Sequence, residues 1–234
     1  MSYVFEGLEP EKLWKNFYDL NQIPRESKHE EKVAEWIVNF AEELGLDVEQ
    51  DEAGNVKVEK PATKGYENAP KICLQGHMDM VCEKNEGVEH DFRKDPIDMK
   101  IEEGFVRAKG TSLGADNGIG VAAGLTLMES ENLVHPSLEF LFTVDEETGL
   151  TGAMALEEGF IDADILINCD SEEDGVFFIG CAGGKNTEFK LDLKEADPDN
   201  GKTALSVKLK GLKGGHSGLD IDKETVTELS GGTP

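Results

Sequence analysis

Between Lys71 and Asp170 the chain alternates short apolar runs with segments of helical periodicity, and each apolar run stops on side chains that carry chemistry. Lys71-Ile72-Cys73-Leu74-Gln75 ends on Gly76-His77-Met78-Asp79. Leu138 to Phe142 ends on Thr143-Val144-Asp145-Glu146-Glu147-Thr148-Gly149. Ile165-Leu166-Ile167-Asn168-Cys169 ends on Asp170. Between the first two runs, Val121, Ala122, Ala123, Leu125 and Leu127 mark an apolar helix over about Ile119 to Glu129. A shorter helix is expected from Thr151 or Gly152 through Leu156, closed by Gly159. Buried strands separated by helices predict an α/β fold, with a mainly parallel sheet and helices on both faces. In open sheets of this kind ligands bind at the carboxyl ends of the strands, which is where His77, Asp79, Glu146, Glu147 and Asp170 fall.

The flanking segments read more simply. A first helix is expected from Pro10 to about Leu20, with Leu13, Phe17 and Leu20 on one face. Ser27 with Glu30 three residues on matches a capping box for a second helix that runs to about Leu44. Leu46 to Glu49 and Val56 to Lys60 predict a hairpin around Ala53-Gly54-Asn55. Short strands are expected at Pro96 to Lys100, Gly104 to Ala108, Gly175 to Ile179 and Thr187 to Leu193. His90 and His135 read as exposed loop residues.

Each polar feature has a bland reading when taken singly. Glu146-Glu147 could be a solvated turn, since most acids are exposed. At a buried strand end, however, two neighbouring carboxylates repel unless a cation or a proton compensates. His77-x-Asp79 could be a surface histidine beside a turn residue, or an imidazole presented to a metal with Asp79 on its other nitrogen. Asp116 lies in Gly114-Ala115-Asp116-Asn117-Gly118-Ile119-Gly120, at the start of a helix, where it could simply be a capping acid. The glycine spacing does not fit a phosphate loop, and no Lys-Ser/Thr follows. Three strand ends and a glycine-framed aspartate together point to a shared site for a divalent ion. Imidazole and carboxylate donors suit zinc, with manganese or cobalt possible.

Composition narrows the partners. The 234 residues carry 49 Asp and Glu against 23 Lys and Arg, a net charge of −26, which argues against nucleic acid or an anionic membrane surface as a partner. The cysteines Cys73, Cys82, Cys169 and Cys181 form no C-x-x-C pair. Cys73 and Cys169 sit inside apolar runs, as reduced thiols of a cytoplasmic protein would. No apolar run reaches membrane-spanning length, and no basic-then-apolar leader is visible at the N-terminus, so a cytoplasmic location is expected.

As a set, Gly76-His77-Met78-Asp79-Met80-Val81, the Gly110 to Gly120 stretch, Thr143 to Gly149 and Asn168-Cys169-Asp170-Ser171-Glu172 resemble the aminoacyl-histidine (Xaa-His) dipeptidases. These are also called peptidase D and belong to a group of di-zinc metallopeptidases. The likeness runs from about residue 5 to 222. It implies a zinc-exopeptidase-like catalytic domain that hydrolyses dipeptides, with a smaller α+β lid domain. By resemblance, His77 and Asp170 are ligands of one zinc, Asp116 bridges both, and Glu147 is a ligand of the second. Glu146 is the general base that takes a proton from the attacking water and hands it to the leaving amine. Asp79 orients His77. Gly211-Leu212-Lys213-Gly214-Gly215-His216-Ser217-Gly218 resembles the opening of the lid, where His216 would polarise the substrate carbonyl, often across a homodimer.

The resemblance also implies a final histidine ligand in a C-terminal portion, and no histidine follows His216. The chain is therefore expected to be a truncated member. Residues 1–184 would form the N-terminal part of the catalytic domain and 185–234 an incomplete lid or dimerisation domain. A catalytically incomplete metal-binding fragment, a tripeptidase and an amide deacylase are the alternatives.

Overall fold

The computed structural model describes residues 3–171, 173, 175–180, 190, 191 and 205. The chain divides into two compact units, Met1–Cys181 and Ala182–Pro234, and the elements below belong to the first. Helix α1 (Glu11–Leu20) and helix α2 (Glu31–Glu43) come first. A hairpin of β1 (Asp47–Gln50) and β2 (Val56–Lys60) follows, then β3 (Ile72–His77). The ribbon of β4 (Met99–Glu102) and β5 (Phe105–Ala108) precedes α3 (Ala115–Met128). Strand β6 (Leu138–Thr143), the short helix α4 (Thr151–Ala155) and β7 (Ile165–Asn168) complete the order.

One five-stranded sheet, ordered β1-β2-β6-β3-β7, organises these elements. Strands β6, β3 and β7 are parallel, as expected of runs joined through helices. Strands β1 and β2 enter antiparallel, so the sheet is mixed. A short hairpin loop leaves no room for the crossover that parallel pairing needs. His77 pairs with Thr143 and Gln75 with Asn168, so β3, β6 and β7 finish at one edge.

Alternation assigns the faces. Val56, Val58, Ile72, Leu74, Phe140 and Phe142 form one core with Val33, Ile37 and Ala41 of α2 and Val121 and Leu125 of α3. Helix α3 can close on the sheet because Gly124 has no side chain; a Cβ there would lie 3.1 Å from the Phe142 ring. Phe5, Phe17, Met80, Met99 and Ala122 build a second cluster that carries α1 and the β4–β5 ribbon. On the opposite face of β2, the Lys57 ammonium reaches the Phe160 carbonyl at 2.8 Å, so the segment after α4 meets that side.

Some expectations change. Residues 175–180 hold a turn at Gly175 and a bend at Ile179 and Gly180, with no strand between Gly175 and Ile179. His90 is half-buried, its ring edge-on to Phe92 at 4.4 Å. The Ser27–Glu30 pair does not cap α2: Glu30 holds the N-cap position without a side-chain cap bond, and both side chains bond elsewhere. Thr187 to Leu193 lies largely outside the described residues.

Candidate metal centre

His77 is the last residue of β3 and is 1% exposed. Its Nδ1 lies 3.2 Å from Asp79 Oδ1, and its Nε2 lies 2.9 Å from Asp116 Oδ1. The same Nε2 is 3.9 Å from Glu146 Oε2 and 3.9 Å from Asp170 Oδ2. Donor atoms of His77, Glu146 and Asp170 all fall within 4.8 Å of one another, and so do those of His77, Asp116 and Glu147. The structure thus brings His77, Asp79, Asp116, Glu146, Glu147 and Asp170 to one sheet edge. His216 and Glu172 lie outside the described residues.

Local folding explains how each side chain arrives. Asp116 does not cap α3. The N-cap is Gly114 at φ +70°, Asp116 itself has non-helical angles, and its carboxylate meets His77. Asn117, buried beside it, donates from its amide to the Cys169 carbonyl at 2.8 Å and lies 3.4 Å from Asp170 Oδ1, tying the head of α3 to the end of β7. Glycine on either side makes this fit. A Cβ on Gly76 or on Gly120 would each stand 2.4 Å from Asn117 Oδ1.

Asp79 is fully buried and heavily bonded. Besides His77, it accepts from Ser27 Oγ at 2.7 Å, from the Glu146 amide at 3.1 Å and from the Glu147 amide at 3.2 Å. Ahead of these amides, Asp145 turns the chain through φ +51°, and its carboxylate accepts from the hydroxyls of Thr148 and Thr151. One carboxylate therefore orients the imidazole and also pins the backbone of both following glutamates.

Electrostatics favour a cation at the cluster. Burial would raise Asp79, but bonds from His77, Ser27 and the Glu146 amide bring it down to about 2. Burial disfavours the charged His77 ring, yet bonds to Asp116 and Asp79 with the charges of Asp79 and Asp170 lift it to about 10. Glu147 is pushed up to about 7 and Asp170 to about 6, each by burial first and then by the charge of Asp116. Carboxylates that hold protons near neutrality because acids crowd them are groups a divalent ion relieves. A second acidic group, Glu59, Glu139 and Asp162, is of another kind. The Lys71 ammonium closes it, 3.1 Å from Glu139, 3.6 Å from Glu59 and bonded to Asp162. The donor set around His77, nitrogen and oxygen from four chain segments, fits a divalent metal.

Residues 73–228 match Peptidase family M20/M25/M40. The chain belongs to this peptidase family. Among its relatives, the cytosol non-specific dipeptidase of Escherichia coli is 49% identical over 214 residues, covering 92% of this chain and 44% of that protein. The crystal structure of an aminoacylhistidine dipeptidase from Vibrio alginolyticus superposes with a TM-score of 0.72 at 50% identity, covering 73% of this chain and 35% of that one. A Staphylococcus aureus tripeptidase follows with a TM-score of 0.59 at 28% identity, covering 70% and 44%. The chain spans less than half the length of these family members. Among the described residues no helix is long and apolar enough to cross a membrane.

Sequence reasoning named the six clustered residues but missed Asn117, Asp145 and the role of Ser27. Asn117 directly follows Asp116 between two glycines, a pattern that signals tight backbone packing but not its target. Nothing in the pattern of Ser27 distinguishes a helix cap from a partner for Asp79.

Proposed function

We propose that this chain is the greater part of the metal-binding half of a cytosolic dipeptidase that hydrolyses small peptides, Xaa-His among them. The observation that carries the reading is the convergence of His77, Asp116, Glu146, Glu147 and Asp170 behind a fully bonded Asp79. His77, Asp116, Glu147 and Asp170 would hold the metal, with zinc the first candidate and manganese or cobalt the others. When bound, the ions would acidify a water and polarise the scissile carbonyl.

The chain's own groups do the rest. Asp79, held ionised, accepts the Nδ1 proton of His77 and leaves Nε2 to face the carboxylates. Glu146 is assigned the proton transfer, from attacking water to leaving amine. Its backbone is fixed by Asp79, and its carboxylate is close enough to His77 to share the reaction space. His216 is assigned to carbonyl polarisation, contributed through a lid-mediated homodimer.

Dipeptide and tripeptide panels with added zinc, manganese or cobalt test this reading. Metal-dependent turnover that Glu146→Gln abolishes while metal binding persists supports it. Metal binding without turnover by the parent chain supports the alternative, a catalytically incomplete metal-binding unit. Cleavage of tripeptides in preference to dipeptides would move the assignment to the tripeptidase branch.

A further inference from the structure

The connection between α1 and α2 has no place in the donor set, yet its side chains run to three of the four segments that feed it. Arg25 is fully buried. Its guanidinium donates to the carbonyls of Met78 and Asp79, each at 3.0 Å, and to the Gly114 carbonyl at 2.5 Å. The first two directly follow the end of β3, and the third lies two residues before Asp116. A Cβ on Gly114 would be 2.2 Å from Arg25 Nη2, so only bare backbone admits this approach. The Ser27 hydroxyl bonds the Asp79 carboxylate at 2.7 Å. Glu30, 5% exposed, accepts at one carboxylate oxygen from the amides of Lys28 and Asp145, each at 2.9 Å. Asp145 immediately precedes Glu146 and Glu147.

We infer that residues 25–30 form a positioning clamp: Arg25 joins the His77–Asp79 and Gly114–Asp116 segments, Ser27 steadies Asp79, and Glu30 sets the turn that aims Glu146 and Glu147. A buried guanidinium is a costly way to fill space. No apolar side chain, however, could join three carbonyl oxygens from two loops. Donor groups must be held within about 0.5 Å to bind or react well, and such precision comes from bonds behind them. The inference deepens the metal-site reading of the His77 cluster and rests on it for its functional meaning, although the loop geometry can be tested without metal.

The experiment compares the full 234-residue chain with Ser27→Ala, Glu30→Met and Glu30→Gln. Ser27→Ala removes one half-buried hydroxyl and leaves the core untouched. Glu30→Gln keeps an oxygen that can accept from Asp145. Amide hydrogen exchange is followed by mass spectrometry on the metal-free proteins, and zinc affinity by competition with a chromophoric chelator. Glu30→Met is expected to speed exchange in 143–149 and to weaken zinc by at least about tenfold. Ser27→Ala should do the same more mildly, with exchange also raised in 77–80. Glu30→Gln should restore near-parental values, and exchange in β4 and β5 should not change. Parental exchange at 143–149 in both Ser27→Ala and Glu30→Met would overturn the clamp. So would a uniform rise across the chain, or a Gln variant as impaired as Met. A parent chain that binds no zinc would sink the metal reading separately, leaving the exchange data to decide the clamp.

Discussion

Gly76 and Asn117 share one space: the Asn117 side-chain oxygen lies 2.4 Å from the point that a Cβ on Gly76 would occupy. Strand β3 and the head of α3 therefore approach closely enough for Asn117 to reach the Cys169 carbonyl beside Asp170. Gly76→Ala should push Asn117 out of this seat and shift Asp170. Overpacking of this kind costs about 1–3 kcal/mol. Zinc affinity, measured by chelator competition, should fall by more than the drop in thermal stability alone explains.

Asp79→Asn should be harmful although it preserves shape. Its NH2 must replace one of the two acceptor oxygens, facing either the Ser27 hydroxyl and Glu147 amide at Oδ2 or the Glu146 amide and His77 Nδ1 at Oδ1. Removing the acceptor that orients a metal-binding histidine typically costs about 10–100-fold in affinity. Isothermal titration with zinc should show that loss, accompanied by a lower melting temperature for the metal-free protein.

In the metal-free protein, stability should fall as pH rises from mildly acidic to alkaline values. His77, lifted to about 10, contributes stability that is complete below its ordinary value near 6.5 and is lost as pH climbs through 10. Glu147 and Asp170 hold protons up to about 7 and about 6 when folded, so their ionisation works against the fold over the range above their ordinary values. Asp79 acts in the opposite sense, but only in strong acid, where its contribution disappears as pH falls toward about 2. Zinc must displace the retained protons. Melting curves at several pH values with zinc and with a chelator should show the slope flatten when metal is present. Calorimetry in buffers of different ionisation enthalpy should detect protons released on binding.

Lys71→Met offers a contrast. Glu139 is fully buried in β6 and would lose its ammonium partner, leaving an uncompensated charge. Stability should drop by about 3–5 kcal/mol in denaturant titrations. In the folded fraction, zinc affinity should stay near that of the parent, because Lys71 bonds a different acidic group from the one around His77.

The sequence showed what repeats and concealed what is met only once. Apolar runs ending in acid or imidazole located β3, β6 and β7 and their common edge, because strand length and chain alternation are local properties. The antiparallel entry of β2 beside β6 was not legible, since nothing local in Val56 to Lys60 names its neighbour. The strand expected at Gly175 to Ile179 had the right composition, but among the described residues it has no pairing partner there. Ser27 and Glu30 matched a cap pattern because capping and long-range bonding use the same short polar groups. Taken singly, Asp116 could also be a helix cap, and only its place in the set of motifs pointed to the metal. Tertiary competition sent all three to distant partners, and only the fold decides such contests.

Strand β7 leaves one matter of handling. Ile165, Leu166 and Ile167 are 46%, 54% and 44% exposed, so neither face of this outermost strand of the described sheet is dry. Among the described residues no strand pairs beyond β7, and an apolar edge of this sort is a template for other extended polypeptide. Purified samples should therefore self-associate as concentration rises, and a lysine in place of Leu166 should keep them dispersed in light-scattering measurements.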